Sequence, residues 1–340
     1  GAGGRICSYG IFPAQGRYAL AKAGYEVAFS QKILQVSGKA EKSSVQEEGT
    51  LKVIHGWMNL GVKGEHFDAL FSFASGGLVS YRYAGKEMID GIPMPNFWRA
   101  PTDNDNGNCM PQRYAQWKTA SMYVTHKPYA GQEQSEPMIQ EEKGAVSITY
   151  TYFMPTTPQS FCTLTYHVSA DGTVRTKLSY DPVKELADMP EFGVMFCLDA
   201  DYDHVKWYGL GPQETYVDRT QGAKLGIYEQ KTEDAMARYL VPQECGNKTG
   251  VRYAEVTDEK GRGLRFEGKE MNFSALPYSP HEVELAKHAY ELPPVHHTWI
   301  RASLMQMGIA GDDSWGSRTQ EEFLLKTDHR MEFEFSFKGI

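Results

Sequence analysis

The chain has 340 residues, room for about two domains or for one large β domain with an appendage. Its 35 Lys+Arg against 43 Asp+Glu leave a net charge of −8, which argues against a broad nucleic-acid or anionic-membrane surface, because phosphate contacts need clustered basic side chains. No apolar run approaches the ~20 residues that span a bilayer, and Gly1-Ala2-Gly3-Gly4-Arg5 opens no signal peptide; the first residue is not Met, so the chain reads as processed, tagged or cut from something longer.

In chain order, residues 25–34 alternate like a strand, and the polar stretch 37–44 reads as a linker, placing a boundary near residue 48. Candidate strands follow at 65–73 and 77–83. Residues 145–153 set Val146, Ile148, Tyr150 and Tyr152 on one face and Ser147, Thr149 and Thr151 on the other. Residues 161–168 and 174–180 repeat that alternation around the turn Ser169-Ala170-Asp171-Gly172, as a hairpin requires. Further strands are expected at 192–199, 204–208, 251–257, 263–267, 271–276 and 298–304, and Met331–Lys338 alternates Phe with charge. One helix is signalled: Ser279-Pro280-His281-Glu282 is a capping box with proline at the first helical position, and the helix must end before Pro293-Pro294. The pattern is all-β, antiparallel sheets stacked face to face.

Five scattered cysteines contain no CxxC, so neither a zinc ribbon nor a redox pair is suggested, and Cys162 reads as a small buried apolar residue. Three segments are dense in polar and aromatic residues. The first, 96–107, contains Asp103-Asn104-Asp105-Asn106-Gly107. It fails as a calcium loop, since the glycine falls one place early and no Glu closes it; turn-making side chains are the better reading. The second, 207–219, holds Gly209-Leu210-Gly211-Pro212 without the Lys-Ser/Thr of a phosphate loop. A tight turn after Tyr208 is expected there, with Glu214, Asp218 and Arg219 making local bonds. The third is His297-Thr298-Trp299 followed by 307–315. Adjacent Asp312 and Asp313 point apart, which makes them poor paired catalytic carboxylates, and His296-His297 lacks helical zinc-ligand spacing. Trp299 fits a core position and a sugar-stacking platform equally well.

Taken together, Phe97-Trp98-Arg99-Ala100-Pro101-Thr102-Asp103-Asn104-Asp105-x-Gly107, Gly209-Leu210-Gly211-Pro212-Gln213-Glu214-x-Tyr216-x-Asp218-Arg219 and Met307-Gly308-Ile309-x-Gly311-Asp312-Asp313-Ser314-Trp315 resemble the C-terminal, small-chain region of glycoside hydrolase family 2 β-galactosidases, over roughly residues 50–340. Residues 19–34 resemble the end of the β-sandwich domain that precedes it. The resemblance implies an immunoglobulin-like remnant plus linker over 1–48 and, over 49–340, a large antiparallel supersandwich of the galactose-mutarotase-like type. It implies that the catalytic acid and nucleophile, with Mg2+ and often Na+, belong to a (β/α)8 barrel outside this chain, leaving it no catalytic residue, metal or cofactor. Trp299 would stack on the aglycone sugar. Gly107, with Asn108 and Arg113, would belong to a mobile active-site loop hinged at the glycine. Arg99, Asp103, Asn104, Asp105, Gln213, Glu214, Asp218, Arg219, Asp312, Asp313 and Trp315 would carry structural motifs.

The implied function is to complete the active-site mouth of an enzyme that hydrolyses terminal β-D-galactosides such as lactose, in partnership with the barrel and the other domains, in a homo-oligomer, and with no nucleic acid or membrane partner. Two alternatives are a natural small subunit of a two-chain enzyme and a stand-alone aldose mutarotase or carbohydrate-binding module. The mutarotase would need a His acid and a Glu base on one concave sheet, and no motif ties His204 or His288 to a Glu.

Overall fold

The structure, a computed structural model, describes residues 5–16, 21–35, 50–127, 136–313 and 315–340, with backbone alone at 5–9 and 33–35. The expected linker at 37–44 and Ser314 of the third motif lie outside the described residues. The chain divides into two compact units, Gly1–Glu47 and Glu48–Ile340. In the first, β1 (Arg5–Pro13) and β2 (Glu26–Gln35) form an antiparallel pair.

The second unit begins with a meander of β3 (Lys52–His55), β4 (Asn59–Lys63), β5 (Phe67–Ser72), β6 (Gly77–Tyr83) and β7 (Lys86–Glu87), each strand hydrogen-bonded to the next. After β8 (Met94–Asn96) come three short helices, α1 (Asp103–Gly107), α2 (Met110–Arg113) and α3 (Ala115–Tyr123). The strands then run β9 (Met138–Glu142), β10 (Ala145–Met154), β11 (Ser160–Ser169), β12 (Val174–Tyr180), β13 (Glu191–Asp199), β14 (His204–Gly211), β15 (Lys224–Lys231), β16 (Lys248–Thr257) and β17 (Gly263–Leu276). Helix α4 (Pro280–Leu285), β18 (His297–Gln306) and β19 (Met331–Gly339) complete it. The large sheet is ordered β15-β14-β16-β17-β19-β12-β11-β10-β9. The long β17 pairs with β19 through residues 264–268 and with β18 through residues 272–276, so the sheet forks there; β18 pairs with β13, and β13 with β8.

Alternation explains the layering. In β10 and β11, Val146, Ile148, Tyr150 and Tyr152 oppose Val168, Tyr166, Leu164 and Cys162, and all eight are buried. Their polar neighbours meet on the other face, where Thr149 and Thr165 hydroxyls lie 2.8 Å apart. The meander closes over the apolar face: Phe71 packs on Tyr166 at 5.5 Å between ring centroids and Tyr81 edge-on to Phe337 at 5.4 Å. The tyrosine hydroxyls cross the layers to backbone carbonyls, Tyr152 to Gly76 at 2.7 Å and Tyr81 to Gly172 at 2.7 Å, so burying these rings leaves no donor unpaired. The result is an all-β sandwich, as the alternation predicts.

Two local expectations are corrected. First, 263–267 and 271–276 are one bulged strand, and β14 runs through Gly209 to Gly211 where a turn was expected. A Cβ on Gly209 would stand 3.0 Å from the Val251 Cα, so the glycine admits the close approach of β16. Second, the segment expected as a loop at 107–113 is helical. Thr102 and Asp105 form a reciprocal capping box on α1, and Pro111 sits in the first turn of α2. These helices are too short for a 3.6-residue stripe to be seen: α3 buries only Trp117 and Ala120. The helix at 280–285 forms with the expected capping box between Ser279 and Glu282.

Candidate functional site

The three motif segments, far apart in sequence, converge on the backbone of residues 308–310. Arg99 donates to the Gly308 carbonyl at 3.1 Å, and the Thr102 hydroxyl donates to the Ile309 carbonyl at 3.2 Å. One carboxylate oxygen of Asp218 accepts the N–H groups of both Ile309 and Ala310 at 2.9 Å. Asp218 was expected to bond locally; it reaches across more than ninety residues instead. Glu214 does pair locally, with Arg219 at 2.9 Å, and also accepts the Tyr239 hydroxyl and the Gly246 N–H.

Asp103 and Asp105 are held by protein partners rather than poised for a cation. Asp105 is buried and takes the Arg99 guanidinium at 2.5 Å and the Thr102 N–H at 2.8 Å. Asp103 exchanges two bonds with Gln243, each 3.0 Å. Asn104 lies within α1, and its carbonyl accepts the Asn108 N–H. These residues therefore do not fit the Mg2+ or Na+ of the family enzyme. Asp312 accepts from Gln320, and Asp313 accepts the Trp315 N–H at 2.8 Å. Gln213 and the Trp315 side chain are exposed.

Trp299 lies on the outer face of β18. Thr298 and Ile300 are buried, Ile300 in the main apolar core, while Trp299 and His297 on the opposite face are half-buried. The register pairs Trp299 with Cys197 and His297 with Asp199, so these four side chains share that face. Trp299 borders a small cleft with Ala100 of the first motif, Tyr278, Val283 of α4 and Arg301. Helix α4 is tied to the first motif, because Glu284 accepts both the Trp98 indole N–H at 2.9 Å and Lys118 of α3 at 2.8 Å. The His297 ring stands edge-on to Trp299 at 5.8 Å and pairs with Asp90 at 2.9 Å.

Two residues along the same face of β18 from Trp299, Arg301 centres a buried ionic network that the sequence pattern did not reveal. Arg301 bonds Glu191 at 2.8 Å, Glu244 at 2.5 Å and the Ser274 hydroxyl at 3.1 Å. Glu191 also accepts from Asn96, Ser303 and Gln306. Burial raises the Glu191 carboxyl above its usual range while Arg301 opposes the shift. Burial disfavours the Arg301 charge, but Glu191 and Glu244 outweigh it and hold the guanidinium protonated. Removing one charged member would leave its partner's charge buried and unpaired. The single legible signal was an arginine two residues after Trp299 in an apolar strand.

In the segment expected as the mobile loop, Asn108 receives two bonds from Arg113, one to its backbone oxygen and one to its side chain, and itself donates to the Ser317 carbonyl at 3.3 Å. The left-handed residue between α1 and α2 is Cys109, at φ 59°, not Gly107, which ends α1. His204 and His288, the mutarotase candidates, form exposed or half-exposed pairs with Asp203 and Glu291.

Two sequence segments thus grip the backbone of a third, and a half-buried tryptophan lies on the face of β18 opposite the main apolar core. The chain belongs to the β-galactosidase small-chain family, whose model matches residues 63–337. It is 38% identical to the β-galactosidase of Halalkalibacterium halodurans over 99% of this chain and 33% of that protein, and 36% identical to that of Streptococcus thermophilus over 94% and 30%. It thus spans about a third of the length of these relatives. It is also 34% identical to the β-galactosidase small subunit of Latilactobacillus sakei, over 84% of this chain and 98% of that one. Among solved structures, galactose 1-epimerase from Lactobacillus acidophilus aligns over 86% of this chain and 98% of its own at 9% identity, with a TM-score of 0.47.

Proposed function

We propose that this chain forms the carbohydrate-facing part of a β-galactosidase that hydrolyses terminal β-D-galactosides such as lactose. The observation that carries the reading is Trp299, a large aromatic turned away from the core and bordering a cleft. An indole face there packs against the C–H face of a sugar ring, and the aglycone is the sugar it grips. Every strand pair among the described residues is antiparallel, and no βα alternation occurs. The two carboxyl groups of a retaining glycosidase, ~5–5.5 Å apart across the bond, come from the partner barrel with its Mg2+ and Na+. This chain's part is to bind, orient and exclude water.

In the same reading, Gly107, Asn108 and Arg113 belong to a short helical segment that moves towards bound substrate, with the Arg113–Asn108–Ser317 contacts holding one of its states. Residues 1–48 are the end of a preceding sandwich domain. A two-stranded sheet is marginal alone in water, and the exposed Ile11, Phe12, Tyr25 and Val27 call for further strands to cover them. A second arrangement, in which this unit is a separate chain assembled with a large subunit, has a counterpart in the small-subunit relative matched along nearly all of its length. Homo-oligomerisation of the whole enzyme completes the proposal.

The test is turnover of o-nitrophenyl galactoside. The purified 340-residue chain is expected to show none above buffer, and activity appears when the barrel-bearing part is supplied. Turnover by this chain alone that survives repurification overturns the division of labour.

A further inference from the structure

Among the described residues, Asp90, Cys197 and His297 bring a carboxylate oxygen, a thiol sulfur and a ring nitrogen within 4.8 Å of one another. We propose that these three side chains bind a borderline-soft divalent transition metal, zinc above all, at the edge of the Trp299 face.

The fold brings the three together from separate places. Cys197 on β13 and His297 on β18 are diagonal neighbours, because Cys197 pairs with Trp299 and Asp199 with His297. Asp90 follows β7, and its backbone N–H donates to the Cys197 carbonyl at 2.8 Å. Gly91 lets this segment lie flat on the strand, since a Cβ there would come within 3.3 Å of the Cys197 Cβ. His297 Nε2 and Asp90 Oδ2 are 2.9 Å apart. Zinc bonds of ~2.0–2.3 Å place tetrahedral ligand atoms about 3.3–3.8 Å from each other, so small side-chain rotations close the set.

The donor chemistry selects the metal. One thiolate, one imidazole and one carboxylate suit zinc, whereas a hard cation such as Mg2+ wants oxygen ligands. On binding, the thiol proton leaves to solvent and a metal–sulfur bond forms, with no change in oxidation state. Thiolate and carboxylate then carry two negative charges that balance the ion, with the imidazole neutral. His297 and Asp90 remain part-exposed, so a fourth position opens to water or to a ligand hydroxyl. The consequence is mechanical: the ion ties the segment around Asp90 to the β13–β18 ribbon and fixes the imidazole that flanks Trp299. This site stands on its own ligands, whether or not Trp299 carries a sugar.

The experiment is a cobalt titration of the chain after dialysis against chelator. A near-ultraviolet thiolate-to-cobalt charge-transfer band should saturate at one equivalent and collapse when zinc is added. Cys197→Ser should abolish the band with the far-ultraviolet dichroism unchanged, and Cys109→Ser, at an exposed cysteine, should leave it intact. His297→Ala and Asp90→Ala, at part-exposed positions that folding tolerates, should each weaken cobalt binding about tenfold or more. Absence of the band in folded protein overturns the proposal. So does a band that survives Cys197→Ser, or an affinity that His297→Ala and Asp90→Ala leave unchanged.

Discussion

The Arg99 guanidinium and the Asp105 carboxylate meet at 2.5 Å with their side chains 0% and 1% exposed. That pair sits where α1 begins and where the 308–310 backbone is clamped, so it joins a helix cap to a contact more than two hundred residues away. Burial disfavours the Arg99 charge, and Asp105 outweighs it.

Asp105→Ala should therefore be among the most damaging substitutions. It strands a buried cation and removes half of the capping box. The expected loss is about 3–5 kcal/mol, a fall of roughly 5–10 °C in Tm, read by thermal denaturation. Arg99→Met combined with Asp105→Leu should lose less than Asp105→Ala alone, because no charge is left unpaired. A double variant at least as unstable as the single one contradicts this.

Gly308→Ala should break the clamp from its other side. A Cβ there would stand 2.7 Å from the Asp218 carboxylate oxygen that accepts the Ile309 and Ala310 N–H groups. The strain is worth about 1–3 kcal/mol. Amide exchange at Ile309 and Ala310 should accelerate more than exchange in β10, and uniform acceleration would show the clamp to be inert.

Lys248 gives a pH dependence with a definite sign. Burial lowers its ammonium to about 8, although Nζ bonds the Pro212 carbonyl at 3.2 Å and lies 4.9 Å from the Trp207 ring centroid. Between pH ~8 and ~10.5 the unfolded chain holds this proton and the folded chain does not, so stability contributed at this site rises with pH. Below pH ~8 the full penalty of the buried charge is present. Relative to Lys248→Met, the wild type should gain about 2–3 kcal/mol between pH 7.5 and pH 10. Urea midpoints at the two pH values measure it, and parallel curves would place the ammonium in water.

Trp299→Ala should separate binding from folding. Its side chain lies outside the main apolar core, so the Tm of this chain should move little. In the intact enzyme the loss should be on the order of 1–3 kcal/mol in kcat/KM, carried by weaker aglycone binding. Unchanged kinetic constants for lactose, with a large drop in Tm, would make Trp299 a packing residue only.

Strands and one helix were legible in the sequence because their causes are local. Period-2 alternation in 145–153 and 161–168 must put Tyr150 and Leu164 on one face whatever lies above them, and Ser279 with Glu282 caps a helix within its own four residues. The motifs were legible as motifs, but not as a single clamp. Nothing near Asp218 says that its partners are Ile309 and Ala310. The helices over 103–123 escaped notice because Trp117 and Ala120 alone make no stripe; packing of Trp117 against Tyr180 and Phe97 is what holds them. Tertiary structure alone decided which face Trp299 takes. Its strand alternates with a buried Thr298 and a buried Arg301, and only the forked pairing of β17 with β18 and β19 shows which side is core. Asp90, Cys197 and His297, like Glu191, Glu244 and Arg301, are neighbours because β13 and β18, distant in sequence, share a register and the segments carrying Asp90 and Glu244 bond onto them. Hydrogen bonding between strands sets that register, and no single segment encodes it.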